Sequence, residues 1–96
     1  MADYRLSDAA EADIEAIHLD TDETFGPRQA ARYIDGLTRS FQMLADFPRT
    51  GRSADDLHPD LFRFPHQSHV ILYSIEPDRI VIRRVVHGRM NLSDRF

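Results

Sequence analysis

Apolar side chains recur at helical spacing in the first quarter of the chain. Successive steps of four, three, four and four residues put these positions on one side of an α-helix, which predicts an amphipathic element. The positions are Ala10, Ile14, Ile17, Thr21 and Phe25. Ser7 precedes them as a good N-cap, and Asp8 and Glu11 follow where the helix dipole favours negative charge. We therefore predict a helix that begins after Ser7 and keeps its acidic side in water.

A second stripe of the same kind begins after Gly26-Pro27. Glycine suits the position just past a helix end and proline suits the first position of the next helix, so this dipeptide predicts a boundary. The apolar positions that follow are Ala30, Ile34, Leu37, Phe41 and Leu44. Two stripes with so short a connection predict an antiparallel helical hairpin. Gly36 lies inside the second stripe, where it either permits a close contact or has no role.

Shorter segments alternate with period two or are rich in β-branched and aromatic residues, which is typical of strands. We predict a short first strand at Tyr4–Leu6 and a later strand over residues 61–65 that ends at the proline. Two clear strands follow at His69–Ile75 and Ile80–His87. The turn-forming residues between these two strands predict an antiparallel hairpin.

The order of these elements is β-α-α-β-β-β, which predicts an α+β fold with the helical hairpin packed on one face of a mostly antiparallel sheet. A chain of 96 residues suffices for one domain, so we assign residues 1–96 to a single domain. One helical hairpin covers only one face of a sheet. The other face is either a surface for a partner or is covered by the loop over residues 48–60, and the sequence leaves both alternatives open.

Strict alternation assigns the side chains of the last strand to two faces. One face carries Ile80, Ile82, Arg84 and Val86. The opposite face carries Val81, Arg83, Val85 and His87. Both faces thus combine apolar with cationic side chains, and His87 is expected opposite to Ile82.

Composition narrows the class of protein without defining its activity. The chain has no cysteine, which excludes disulfide frameworks, thiolate metal sites and thiol nucleophiles. No apolar run approaches the roughly 18 residues of a membrane span, and the N-terminus lacks the apolar stretch of a signal peptide, so we expect a cytoplasmic protein.

The net charge of −4 divides into −6 over residues 1–48 (four Arg, ten acidic residues) and +2 over residues 49–96 (eight Arg, six acidic residues). Any contact with a polyanion is therefore expected in the second half.

Segments along nearly the whole chain follow, in order and spacing, the pattern of one protein family. They are residues 4–10, Asp13-Ile14, Phe25-Gly26, Gln29-Ala30, Tyr33, Leu37, Phe47-Pro48, Gly51-Arg52, Leu61, Arg63, residues 68–73 and residues 82–90. Together they resemble the ParE-like toxins of the RelE/ParE superfamily. The resemblance implies the toxin of a type II toxin–antitoxin system, neutralised in a hetero-oligomer by a small ParD-like antitoxin. It also implies no cofactor, no membrane contact and no sequence-specific DNA binding except through the antitoxin.

The superfamily contains two activities. ParE-like members act on DNA gyrase by binding, whereas RelE-like members are metal-independent ribonucleases that cleave mRNA on the ribosome. Such cleavage needs a base, a cation for the phosphate and an acid. The resemblance to RelE-like members implies Arg63, His87 and Arg89 as the candidates, by their positions in the chain. The loop before Arg63 has no lysine, and Gly88-Arg89 stands where those nucleases tend to have a tyrosine, so gyrase binding is favoured and no catalytic residue is assigned. A structural role stays open for His87, as a hydrogen-bonding group at the strand end, and for Arg63, in an ion pair with Asp60.

Two sets of contact residues are expected from apolar positions and from the resemblance. An antitoxin tail is expected on the outer groove of the helical hairpin and on the sheet face, through Tyr33, Leu37, Phe41, Arg63 and Tyr73. The C-terminal segment combines arginine with large apolar side chains, and the target is expected to contact Arg89, Met90, Leu92, Arg95 and Phe96. The alternative is that Leu92 and Phe96 pack back onto the domain and only stabilise it.

His66 and His69 are three residues apart, a spacing that raises the question of a metal site. Zinc requires three or four ligands, and His58 is the one further candidate nearby, so we predict no metal site. Ser68 directly precedes His69. Because adjacent strand residues point to opposite faces, a nucleophile–base pair is not expected.

Overall fold

Two long helices pack on one face of a five-stranded sheet in the computed structural model, which describes residues 3–89. The elements are β1 (Tyr4–Leu6), α1 (Asp8–Phe25), α2 (Pro27–Asp46), β2 (Arg52–Ser53), β3 (Leu61–His66), β4 (His69–Ile75) and β5 (Ile80–His87). The strand order is β1-β5-β4-β3-β2, with β1 parallel to β5 and the other neighbours antiparallel. The predicted α+β class and element order are confirmed, and the two-residue β2 is an addition.

Both ends of α1 follow from local sequence chemistry. The Ser7 hydroxyl accepts a hydrogen bond from the Ala10 N–H at 3.0 Å, which satisfies one of the free amides at the helix start. Gly26 adopts a φ of 90°, which costs little without a Cβ, and its N–H donates to the Asp22 carbonyl oxygen. Pro27 then begins α2 with its fixed φ. The predicted boundary between the helices is confirmed.

The main core lies between the helical hairpin and the sheet. Its buried members are Ala10, Ile17, Leu37, Phe41, Leu44, Ala45, Ile71, Tyr73, Ile80, Ile82 and Val85. Both helical stripes therefore face the same side of the sheet, although Phe25, the last residue of α1, is exposed and lies outside the buried part of its stripe. No helix in the described part of the chain is long and apolar enough to cross a membrane.

The loop over residues 48–60 covers the centre of the opposite sheet face. A second buried cluster there contains Ala54, Leu61, Leu72 and Val86, with Leu57 and Val70 packed against it. Of the two alternatives for this face, the structure thus adopts the loop cover. A partner that used the centre of this face would have to displace the loop.

A β-bulge interrupts the pairing of β4 with β5. Tyr73 pairs with Ile82, but the preceding Leu72 pairs with Arg84. Arg83 is therefore an extra residue in β5, with no counterpart in β4. A one-residue shift of this kind reverses the face of every side chain that follows.

The bulge overturns the face assignment predicted for the second half of β5. Val85 lies in the helix-side core together with Ile82, whereas Val86 lies in the loop-side cluster. Strict alternation predicted the reverse for both valines, and that prediction is wrong. The same shift moves His87 to the helix side of the sheet, where it pairs with His69.

β3 continues through Pro65 to His66, one residue beyond its predicted end. Pro65 pairs in register with Val70 of β4. On the other side, β2 pairs only with Phe62 and Arg63, so Pro65 lies at a free edge where a missing N–H breaks no ladder hydrogen bond.

Candidate functional site

Three histidines and one tyrosine meet where the β3–β4 turn and the end of β5 reach α2. His66 ends β3, His69 begins β4, His87 ends β5 and Tyr33 lies on α2. Across the sheet, His69 pairs with both His66 and His87. We call the three histidines the histidine cluster. Sheet pairing brings their rings together, and the packing of α2 on the sheet places Tyr33 against them.

Polar contacts join the histidine cluster to α2. The Tyr33 hydroxyl lies 2.6 Å from Nδ1 of His69 and 3.3 Å from the carbonyl oxygen of His66. The Ser40 hydroxyl, two turns further along α2, lies 3.0 Å from Nδ1 of His66. The Tyr33 ring also meets both imidazoles edge-on, at centroid distances of 5.4 and 5.5 Å. The tip of the β3–β4 hairpin is thus held to α2 mainly through polar and aromatic groups.

The His66 imidazole fits closely against α2. A Cβ on Gly36 would lie 3.4 Å from Cε1 and Nε2 of this ring, which is an ordinary van der Waals distance. The Nε2 atom is buried and has no hydrogen-bond partner among residues 3–89. The neighbour of Gly36 is thus the ring of a strand residue, and this contact does not require a glycine.

The surroundings of the histidine cluster favour neutral imidazoles. Burial, followed by the positive charge of Arg39, lowers the pKa of His66. Burial, followed by the neighbouring His87 and His66, lowers the pKa of His69. Both effects have one physical origin, because a partly desolvated site near other cationic groups disfavours an additional positive charge.

Two of the residues considered for a ribonuclease site, Arg63 and His87, do not meet. Arg63 pairs directly with Leu72, a member of the loop-side cluster, so its side chain lies on the loop-covered face. His87 lies on the helix side with the histidine cluster. The sheet therefore separates the candidate phosphate-binding cation from the candidate base.

Both of these residues have structural partners. Arg63 forms an ion pair with Asp56 at 2.7 Å, in place of the Asp60 partner considered from the sequence. Nδ1 of His87 accepts a hydrogen bond from the Arg89 N–H at 3.2 Å, as expected for a histidine at a strand end. The exposed Arg89 thus lies in a turn that His87 helps to hold.

Three of the five residues expected to contact an antitoxin belong to the core. Leu37, Phe41 and Tyr73 are at most 2% exposed, because the α2 stripe and the sheet face that carry them pack against each other. Their side chains do not form a surface for a partner. The accessible members of the set reduce to the partly exposed Tyr33 and Arg63.

The exposed large apolar side chains of the described residues lie elsewhere. They are Leu19, Phe25 and Phe47. Of the residues expected to contact the target, Arg89 is exposed after β5. Met90, Leu92, Arg95 and Phe96 lie outside the described residues.

An ion pair that the sequence did not reveal holds the bulge in β5. Nε and Nη2 of Arg84 donate to the two carboxylate oxygens of Asp13 at 2.7 and 2.9 Å, and the Val85 N–H donates to the same carboxylate at 2.9 Å. The hydrogen bond to Asp13 raises the pKa of Arg84. The one signal in the sequence is an acidic residue beside the apolar position Ile14 of α1.

No group of three or more histidine, aspartate or glutamate side chains within residues 3–89 is arranged to hold a metal ion. His58 is an exposed loop residue whose Nδ1 lies 3.1 Å from the carbonyl oxygen of its neighbour Pro59. The Ser68 hydroxyl is 3.4 Å from Nδ1 of His69, farther than the Tyr33 hydroxyl on the same atom. The serine therefore has no short hydrogen bond to a base.

Comparison with known proteins gives one consistent result. The family model described as "ParE toxin of type II toxin-antitoxin system, parDE" matches residues 4–92. Toxin ParE1 of Caulobacter vibrioides is 35% identical over 91 residues, which cover 95% of this chain and 94% of that protein. Toxin ParE1 of Mycobacterium tuberculosis is 32% identical over 90 residues, which cover 93% and 92%.

Two solved structures share the fold. The chain matches a structure of the chromosomal ParDE toxin–antitoxin system from P. aeruginosa with a TM-score of 0.78 and 17% identity, covering 91% of this chain and 96% of that one. It matches the RelBE2 toxin–antitoxin complex from Mycobacterium tuberculosis with a TM-score of 0.60 and 22% identity, covering 90% and 96%. At these identities the likeness concerns the fold alone.

Proposed function

Because this chain belongs to the ParE toxin family of type II toxin–antitoxin systems, we propose that it inhibits DNA gyrase by binding and that a ParD-like antitoxin neutralises it. In this proposal the protein acts in the cytoplasm without a cofactor and without RNA chemistry of its own. Family membership supports the toxin role. The choice between binding and cleavage rests on the arrangement of side chains.

The separation of Arg63 from His87 is the observation that carries the choice of binding. Metal-free RNA cleavage requires a proton acceptor and a phosphate-binding cation within hydrogen-bond reach of one substrate. Here the two side chains lie on opposite faces of the sheet, and Asp56 already pairs with the arginine. A binding toxin has no such requirement.

The antitoxin contact is proposed at Tyr33 and Arg63, the accessible members of the expected set. Tyr33 borders the seam between α2 and the β3–β4 hairpin, and Arg63 lies beside the covering loop. An amphipathic antitoxin segment that orders on contact suits such separated anchor points.

Expression of this chain from a plasmid in a bacterial host, followed by assays of the purified protein, tests the proposal. We expect growth arrest, rescue by the antitoxin encoded in the adjoining frame, and inhibition of supercoiling by purified gyrase. The toxicity of the His87→Ala variant is expected to stay within about tenfold of that of the unmodified chain. Loss of a general acid or base would instead lower the rate of a cleavage reaction by about 10²–10⁴-fold. Ribosome-dependent mRNA cleavage by the purified protein, abolished by this variant, would instead establish the ribonuclease activity.

The proposed gyrase contact lies at the C-terminal end, from Arg89 to Phe96. Deletion of residues 91–96 is expected to leave the melting temperature and antitoxin binding unchanged and to abolish gyrase inhibition. If Leu92 and Phe96 only stabilise the domain, the shortened chain melts at a lower temperature, and its toxicity falls in proportion to the folded fraction. Unchanged toxicity would rule out a target contact in this segment.

A further inference from the structure

The contacts between the histidine cluster and α2 contain several bases and no acid. Within residues 3–89, the side-chain hydrogen bonds of these imidazoles go to the hydroxyls of Tyr33, Ser40 and Ser68 and to the Arg89 amide. The charged or titratable groups facing the rings are Tyr33 and Arg39 from α2 and, from β3, β4 and β5, the imidazoles of one another. Within residues 3–89, a protonated ring gains no compensating carboxylate.

His66 is the member least suited to take up a proton in place. Its Nδ1 is engaged by Ser40, and its buried Nε2 lies against Gly36 without an acceptor. A neutral ring whose Nδ1–H donates to the Ser40 hydroxyl has no proton on Nε2. The imidazolium form adds an N–H at this buried nitrogen, and a buried donor without a partner is costly. The protonated ring satisfies its second donor only by moving toward water, which moves the hairpin tip off α2.

His69 adds a second source of acid sensitivity. Its ring centroid lies 5.4 Å from that of His87, and burial, followed by the neighbouring His87 and His66, lowers its pKa. A positive charge on His69 is therefore disfavoured while the hairpin tip is closed.

We propose that the histidine cluster is a proton-operated latch. Neutral imidazoles hold the β3–β4 tip on α2, and protonation in mildly acidic solution releases it while both apolar cores stay folded. Local opening suits this part of the fold, because polar contacts hold the tip whereas apolar burial holds the rest of the seam. The latch is a property beyond the proposed function, and it does not depend on which target the chain binds.

Native-state hydrogen exchange on the full chain tests the latch. Protection factors, corrected for the intrinsic pH dependence of exchange, are compared at pH 7.5 and pH 5.5 for residues 64–70 and for α1 as an internal reference. One linked proton changes an opening equilibrium by up to about tenfold per pH unit. We expect the hairpin tip to lose about tenfold or more in protection and α1 to lose less than about threefold, since α1 is tied to the apolar core.

Matched variants test whether the loss of protection at pH 5.5 comes from the histidine cluster. His66→Asn with His69→Asn keeps a polar atom near each Nδ1 position but cannot titrate, and we expect this double variant to lose less than about threefold. His58→Asn, at an exposed loop position, is expected to behave as the unmodified chain. The proposal is overturned if the hairpin tip loses equal protection in the double variant and in the unmodified chain. It is also overturned if the tip of the unmodified chain loses no protection.

A second measurement keeps the test decisive if the double variant does not fold. In the unmodified chain, NMR titration of the imidazole carbons follows His66 and His69 directly. The latch requires both rings to titrate below pH 6.5, the ordinary value for histidine. Titration of His66 and His69 at or above that pH overturns it.

Discussion

At the residue scale, the Tyr73 hydroxyl joins the segment after α2 to the sheet. It donates to the Pro48 carbonyl oxygen at 2.6 Å and accepts from the Gly51 N–H at 3.0 Å. Burial raises the pKa of Tyr73, against the opposite effect of the hydrogen bond from Gly51. A Cβ on Gly51 would overlap this hydroxyl and lie 2.9 Å from the Arg63 carbonyl oxygen. One side chain thus fixes where the covering loop begins.

Removing this hydroxyl is expected to destabilise the fold. Tyr73→Phe should lower the free energy of unfolding by about 1–3 kcal/mol, because a carbonyl and an amide in a partly buried site lose their partner. Urea unfolding followed by circular dichroism measures the change. Tyr4→Phe is the matched control, since the Tyr4 ring packs on Phe41 at 5.5 Å and its hydroxyl makes no hydrogen bond within residues 3–89. Equal losses in both variants would contradict the role of the Tyr73 hydroxyl.

At the scale of the elements, one extra residue in β5 decides which side chains meet. Without the bulge at Arg83, alternation would direct His87 to the loop-covered face, where Arg63 lies. With the bulge, His87 joins Tyr33 and His69 beside α2. Asp13 of α1 stabilises this arrangement, because it accepts hydrogen bonds from the residues that follow the bulge.

Asp13 is therefore expected to be important for stability. Asp13→Ala should lower the free energy of unfolding by about 2–3 kcal/mol, since it leaves the partly buried Arg84 without its ion pair and the Val85 amide without its acceptor. Asp13→Asn keeps an acceptor and should cost less. Urea unfolding measures both, with the exposed Glu15→Ala on the same helix as a control expected within about 0.5 kcal/mol of the unmodified chain. An effect of Asp13→Ala no larger than this control would show that the bulge does not depend on the pair.

At the scale of the whole molecule, the histidine cluster links stability to pH. Folding lowers the pKa of His66 and His69 below 6.5, the ordinary value for the unfolded chain. The unfolded chain therefore binds more protons in the window just below pH 6.5. The stabilising contribution of the neutral rings is complete above that pH and is lost as the pH falls toward their folded-state values.

Global unfolding at different pH values checks this linkage. We expect the free energy of unfolding in urea to fall between pH 7.5 and pH 5.5, and to fall less in the His66→Asn, His69→Asn double variant. His58→Asn should keep the slope of the unmodified chain. A free energy of unfolding that rises as the pH falls through this window would contradict the lowered pKa values.

Apart from β2 and the last residue of β3, the sequence by itself determined the elements, and it also determined the family. Helix periodicity, the Ser7 cap and the Gly26-Pro27 boundary fixed α1 and α2, and composition gave β4 and β5 with the bounds that the structure has. These features depend on residues close together in the chain, so local chemistry is sufficient to read them. The resemblance to ParE-like toxins was likewise a property of the linear order of residues.

Only the tertiary structure decided which side chains share a surface. The bulge arises where β4 and β5 pair and is held by Asp13, which precedes Arg84 by 71 residues, and no local pattern encodes such a contact. That one register shift places His87 beside His69, on the opposite face of the sheet from Arg63. The burial of Leu37, Phe41 and Tyr73 also required the structure, because an apolar stripe has the same sequence pattern whether its own sheet or a partner covers it.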